Sequence, residues 1–275
     1  MKRKLSCLLL IPTLGTALIL QPGTSAQSTS PGLPDNAQRE DRTQDLPERE
    51  QITRSHQLEA GAQVDVSNIR GPVQVDTVAG DTAHIEVVRS ARKREEPSQS
   101  SFIIERTPNG LVIRNQRQML KADGKQSGNR IRERVKLTLP RNVNLKLSGI
   151  NGDLRVGELE GQIQVNGING VVNIMSADTI LEIRSVIGNV SAAVKRVDSR
   201  GMSVKAIVGS VELGFSEGVN ADLKVHTATG GVISKIPRLV SEGIYNPANL
   251  RGRIGEGGPL VAVSEVVGSV TLQSR

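Results

Sequence analysis

Seven times in this chain a glycine stands inside one apolar frame, with hydrophobic residues at −7, −5, −2, +2 and +4 from it. The glycines are Gly71, Gly152, Gly170, Gly188, Gly209, Gly230 and Gly268. Of the thirty-five flanking positions only Ser234 is polar, whereas a hydrophobic content of 37% fills about thirteen by chance. From Gly152 to Gly230 the glycines follow at intervals of 18, 18, 21 and 21 residues, the mark of a short structural repeat.

The copy around Gly170 reads Ile163, Val165, Ile168, Gly170, Val172 and Ile174. That around Gly188 reads Leu181, Ile183, Val186, Gly188, Val190 and Ala192, and that around Gly230 begins Leu223, Val225, Ala228. Each arm alternates apolar and polar residues of high β propensity, the pattern of a strand with one buried face. Two architectures compete for it. A hairpin meander puts each glycine in a two-residue turn, which Asn151-Gly152 and Asn169-Gly170 suit. The other five copies place Arg70, Ile187, Val208, Thr229 and Val267 before the glycine, and β-branched residues are poor at the positive φ that a type I′ turn needs there.

The −2 residue decides further. Strict alternation from −7 and −5 sends it to the opposite face, yet it is apolar in every copy. A corner that resets the phase keeps it inside, as where a chain bends round a solenoid coil, and glycine relieves crowding there. The frame favours an all-β, single-stranded β-solenoid (β-helix) with coils of about 18–21 residues over a meander or sandwich. Val165, Val172, Ile183, Val190, Val204 and Val211 then point inward, and Ile150, Ile168, Val186 and Ile207 are buried at the corners. Gln164, Glu182 and Lys205 point outward.

Residues 1–26 read as a signal peptide. Lys2, Arg3 and Lys4 are its basic start, residues 5–20 its apolar stretch, and Thr24-Ser25-Ala26 the cleavage site before Gln27. Pro12, Gly15 and the short apolar run argue against a transmembrane anchor, and no later stretch of the mature chain is long and apolar enough to span a bilayer. Cys7, the only cysteine, precedes the apolar core, which argues against lipid acylation and leaves the mature chain without a thiol. Residues 27–50, rich in Ser, Pro, Gln, Asp and Glu, read as a disordered linker. Residues 51–275 form the solenoid domain. The expected address is periplasmic, cell-surface or extracellular.

The net charge of +7 is unevenly placed. Residues 89–146 hold 15 Lys or Arg against 5 Asp or Glu, residues 147–275 hold 12 of each, and residues 51–88 hold 2 against 5. The basic segment also carries hairpin signals, with strands over 101–106 and 111–115 about the turn Thr107-Pro108-Asn109-Gly110. Residues 117–134 read as a mobile polar loop. Between 234 and 259 the frame lapses, and Pro237, Pro247, Gly252, Gly255, Gly257 and Gly258 suggest a loop excursion before the last copy.

A search for chemistry finds no constellation. His56, His84 and His226 are isolated, so no metal or cofactor is expected. Gly255-Glu256-Gly257-Gly258 lacks the dinucleotide fingerprint, since Leu260 stands where its third glycine belongs. Asp153, Glu158 and Glu160 cluster early in the repeats, and sugar hydrolysis needs two carboxylates at a set separation. Asp153 falls on a solvent-facing position, however, and with 2 Phe, 1 Tyr and no Trp the chain offers no aromatic platform for a sugar ring.

Residues 64–75, the glycine-centred copies from Leu145 onward, and Gly257-Gly258-Pro259-Leu260 leading into the last copy together resemble a known family. It is the bacterial exported β-strand-repeat domain labelled "putative adhesin", of largely unknown function, and the resemblance covers residues 55–275. It implies a right-handed β-helix at the bacterial surface or in the periplasm, a hand that parallel crossovers share. It supplies no functional residues to carry over.

These readings lead to a non-enzymatic exported cell-envelope protein, adhesin-like in binding or serving as a surface scaffold. The alternatives are a polysaccharide-active β-helix enzyme (glycosidase or lyase) and a module binding an anionic polymer or membrane surface. Arg92, Lys93, Arg94, Arg130, Arg132 and Arg134 are the candidate contacts, for they form two dense basic runs flanking the hairpin. The expected partners are an anionic envelope polymer such as lipopolysaccharide or capsule, a membrane surface, or another envelope protein. Nucleic acid is not expected, since export removes it and stacking aromatics are lacking.

Overall fold

The computed structural model describes residues 48–91, 100–117, 131–237, 239–241 and 246–275. The expected signal peptide and the linker up to residue 47 lie outside them. The described residues form nineteen strands and no helix. The series opens with β1 (Glu48–Gln57), β2 (Gln63–Ser67), β3 (Val73–Val78), β4 (Thr82–Ala91) and β5 (Ser100–Thr107). It continues with β6 (Gly110–Arg117), β7 (Arg132–Pro140), β8 (Asn144–Asn151), β9 (Leu154–Asn169) and β10 (Val172–Ile187). Then come β11 (Val190–Val194), β12 (Met202–Val208), β13 (Val211–Phe215), β14 (Ala221–Thr229) and β15 (Val232–Lys235). The last four are β16 (Val240–Ser241), β17 (Asn249–Ile254), β18 (Leu260–Val267) and β19 (Val270–Ser274).

Neighbouring copies of the frame pair in parallel and in register, which a hairpin meander cannot give. Leu145 faces Ile163, Val165 faces Ile183, and Ile183 faces Val204. The arms before each glycine build one ladder, ordered β5, β6, β2, β8, the end of β9, the end of β10, β12, β18, β14, β17, β16. The arms after it build a second, ordered β1, β4, β7, β3, the start of β9, the start of β10, β11, β13, β19, β15. Their inward rows form one hydrophobic core dominated by Val, Ile and Leu, with Ala, Met202 and Phe215.

The corner explains the frame. Asn68, Gly149, Gly167, Ser185, Ala206 and Glu265, each three positions before its glycine, take left-handed φ between 55° and 68°. That residue resets the alternation, so −5 and −2 both face the core. Ile150, Ile168, Val186 and Ile207 are accordingly buried. The glycine then adopts φ of 145° to 158° in six of the seven copies. Stacked glycines approach so closely that a β-carbon on Gly170 would lie 2.4 Å from the Gly152 carbonyl oxygen.

Several details differ from the sequence expectations. In the Gly188 copy Ile180, not Leu181, takes the inward place opposite Ile163, because a bulge lies between Ile180 and Glu182. In the Gly230 copy Thr227 is buried and Ala228 exposed, again at a bulge. The 234–259 excursion carries strand structure: β17 pairs antiparallel with β14, and β16 with β17. β1 starts inside the segment read as linker, and β7 takes up the end of the segment read as a mobile loop. Finally, β18 and β19 insert between the Gly209 and Gly230 copies, so the spatial order of glycines ends 209, 268, 230.

Candidate functional site

An eighth copy of the frame stands outside Gly71. Leu111 and Ile113 face Val64 and Val66, and Val135 and Leu137 face Val73 and Val75. Glu133 takes the glycine position, its backbone lying against Gly71. The residues between Asn115 and Glu133 are inserted at this corner, which hid the copy from a search for fixed spacing.

Polar side chains fill the corner that apolar residues fill elsewhere. Glu133 is fully buried. The Arg70 backbone N–H donates to its Oε2 at 3.0 Å, and Asn115 Nδ2 donates to its Oε1. Arg89 Nε lies 3.7 Å from the same Oε1, while Arg89 Nη1 is 2.7 Å from Glu50 Oε2. Burial pushes the Glu133 carboxyl above the usual carboxylate range, and the Arg70 amide, Arg89 and Asn115 oppose that rise. Arg89 therefore ties β1 and β7 through β4. Its charge, counted in the basic segment, is spent inside the fold.

Other cations of that segment meet acids from the net-acidic stretch that stacks beside it. Lys136 Nζ lies 3.9 Å from Asp76 Oδ2, and Lys146 Nζ lies 3.8 Å from Asp65 Oδ2. Of the candidate contacts, Arg132 and Arg134 project from β7, half-buried and exposed respectively. Both have interaction partners. Arg92, Lys93, Arg94 and Arg130 lie outside the described residues. The expected hairpin is β5–β6, with Thr107 facing Gly110.

Of the carboxylate cluster, Asp153 has a structural role. Asp153 Oδ1 accepts the Val171 backbone N–H at 2.9 Å, bracing one corner against the next. Two shallow depressions among the described residues are lined, respectively, by residues of 57–62 with 106–110 and by residues of 222–224 with 251–253. Asp153 belongs to neither. His84 Nδ1 lies 2.9 Å from Ser55 Oγ and His226 Nδ1 lies 2.7 Å from Asn249 Oδ1, each apart from the other.

The second depression gathers cations that the sequence count dispersed. Across the antiparallel pair β14–β17, Lys224 stands opposite Arg251 and Asp222 opposite Arg253. Arg253 Nε lies 3.5 Å from Asp222 Oδ1. The sequence signal was weak because residues 147–275 are charge-balanced and β17 falls where the frame lapses.

No family model matches the chain, and no curated protein is similar enough in sequence to match it. Solved structures do align with it. A "putative cell adhesion protein" from Clostridium sporogenes shows 13% identity and a TM-score of 0.42, over 82% of this chain and 100% of that one. A "putative adhesin" from Bacteroides fragilis shows 12% identity and a TM-score of 0.36, over 82% and 98%. A "putative lipid binding protein" from Parabacteroides distasonis shows 11% identity and a TM-score of 0.27, over 82% and 96%.

Proposed function

We propose that the chain is a non-enzymatic exported cell-envelope protein, an adhesin-like binding protein or surface scaffold built as a β-solenoid. Residues 1–26 would be its cleaved signal peptide, residues 27–50 largely a linker, and residues 51–275 the solenoid. One observation carries this reading: in-register parallel stacking repeats the same outward positions from strand to strand. Lys146, Gln164, Glu182 and Ser203 form one such row and Ser148, Asn166, Arg184 and Lys205 the next. Rows of this kind suit many weak contacts with an extended partner, which add through avidity.

The enzymatic alternative loses support from Asp153, whose carboxylate already holds a backbone amide. Fractionation of cells producing the chain, with N-terminal sequencing, tests the proposal. The expected product begins at Gln27 and lies in the periplasm, at the surface or in the medium. A mature chain confined to the cytoplasm overturns it, as does polysaccharide cleavage that Asp153→Asn abolishes.

A second reading places an anionic contact on Arg92, Lys93, Arg94, Arg130, Arg132 and Arg134, supported by the local excess of 15 cations over 5 acids in residues 89–146. Reversing Arg130, Arg132 and Arg134 should then abolish polyanion binding that also weakens with salt. Binding that survives both treatments removes these residues from the contact.

A further inference from the structure

The outward face of β12, β18, β14 and β17 concentrates positive charge away from the segment richest in it. Lys224 and Arg251 are exposed and directly opposite across an antiparallel pair. Like charges in that relation repel. Among the described residues neither has an acid within ion-pair distance, whereas Arg253 beside them is held by Asp222. Lys205 on β12 extends the positive face, two strands from Lys224 and separated from it by β18. The side chains that β18 presents between them are small, Ala262 and Ser264. Among the described residues the other acids around this face are Glu182 on β10, in register with Ser203 beside Lys205, Glu256 in the turn after β17 and Glu265 at the corner of β18; Glu242, which follows β16, lies outside the described residues.

We infer that this face is an anion-binding surface whose ligand is an extended polymer bearing sulfate, phosphate or carboxylate groups. Lys224 and Arg251 form its centre, and Arg253 and Lys205 flank it. An anionic group between Lys224 and Arg251 would relieve their repulsion and accept hydrogen bonds from both. Strands lie about 4.8 Å apart, so the cations run across the strands along a line that a charged chain can follow. The face is shallow and has no enclosing walls, so an isolated anion gains too few contacts. A lipid bilayer is the less favoured partner, because Ala262 and Ser264 between the cations offer little to insert. Leu260 and Val240 are the exposed apolar residues at the rim.

The inference rests on the proposed role as a binding protein but names a different surface from the basic segment. It is tested with the full mature chain on immobilised heparin, a linear sulfated polyanion, at low and high salt. Parallel arms use inorganic phosphate as competitor and vesicles of phosphatidylcholine with phosphatidylglycerol. The double variant Lys224→Gln, Arg251→Gln should lose about tenfold or more in heparin affinity while its unfolding temperature stays level or rises, since a repulsion is removed. Arg132→Gln with Arg134→Gln should leave binding within about twofold. Heparin binding unchanged in the double variant, or absent from the wild-type chain, overturns the inference. So does vesicle binding without heparin binding, or full competition by phosphate at affinities matching the polymer's. An envelope-located chain that ignores heparin would defeat this inference alone, and a cytoplasmic chain would defeat the proposed function.

Discussion

Gly268 stands directly against Gly209: a β-carbon built on it would lie 2.2 Å from the Gly209 carbonyl oxygen, and its own φ is 150°. No side chain can move aside, because the obstacle is backbone. Gly268→Ala should therefore cost about 3 kcal/mol or more, combining forbidden φ with a displaced neighbouring copy. Gly218, at φ 80° with nothing within 4 Å, is the control, and Gly218→Ala should cost about 1 kcal/mol. Urea midpoints compare the two, and equal losses would show that the column tolerates a methyl group.

Val204 is fully buried between Ile183 and Val263 in neighbouring strands. Val204→Asp puts an unpaired carboxylate into a dry row, at a cost of about 4 kcal/mol or more. Gln164→Asp, at an exposed place in the same ladder, should stay within about 0.5 kcal/mol of wild type. A small effect at Val204 would mean that its row is open to water.

Sequence reasoning reached the inward rows and the buried corner because burial acts on every copy alike. Ile168 and Ile207 could only be apolar at −2 if the chain bent there. The left-handed residue making the bend was hidden, since Asn, Gly, Ser, Ala and Glu all occupy it. The eighth copy escaped because its two arms are separated by an insertion and Glu133 replaces its glycine. The order of the last two copies was illegible for a different reason: Val263 fits beside Val204 as well as Val225 would. For the candidate site, a linear charge count could not show that Asp65, Asp76 and Glu50 would stack against the basic segment, nor that β17 would bring Arg251 opposite Lys224.

Glu133 gives a pH signature with a defined sign. Its carboxyl is raised in the folded chain, so the folded state holds the proton more tightly than the unfolded state. Its contribution to stability is then fully present below the ordinary carboxylate pKa and is lost as pH rises through the raised value. Glu133→Gln keeps the shape and can still accept from the Arg70 amide, so the variant should lack that slope. Glu133→Ala should instead lose about 3 kcal/mol, because Asn115 and Arg89 are left buried beside a void. Stability measured between pH 4 and pH 8 on all three chains checks this, and parallel curves for wild type and Glu133→Gln would contradict it.

The insertion of β18 and β19 between copies that precede them makes the last residues a structural wedge. β14 pairs with β18 and β15 with β19, and neither strand pairs with the Gly209 copy. β12 and β13 likewise have their outer partners in β18 and β19. Five inward side chains of the wedge, Val261, Val263, Val266, Val270 and Leu272, are buried. A chain ending at Pro259 should therefore lose amide protection throughout β14, β15 and β17, and partly in β12 and β13. β2, β3 and β8, several copies away, should keep theirs, because each copy packs only on its neighbours. Hydrogen exchange followed by mass spectrometry reads these segments separately. Full protection of β14 in the shortened chain would show that the Gly230 copy restacks on the Gly209 copy, making β18 and β19 dispensable.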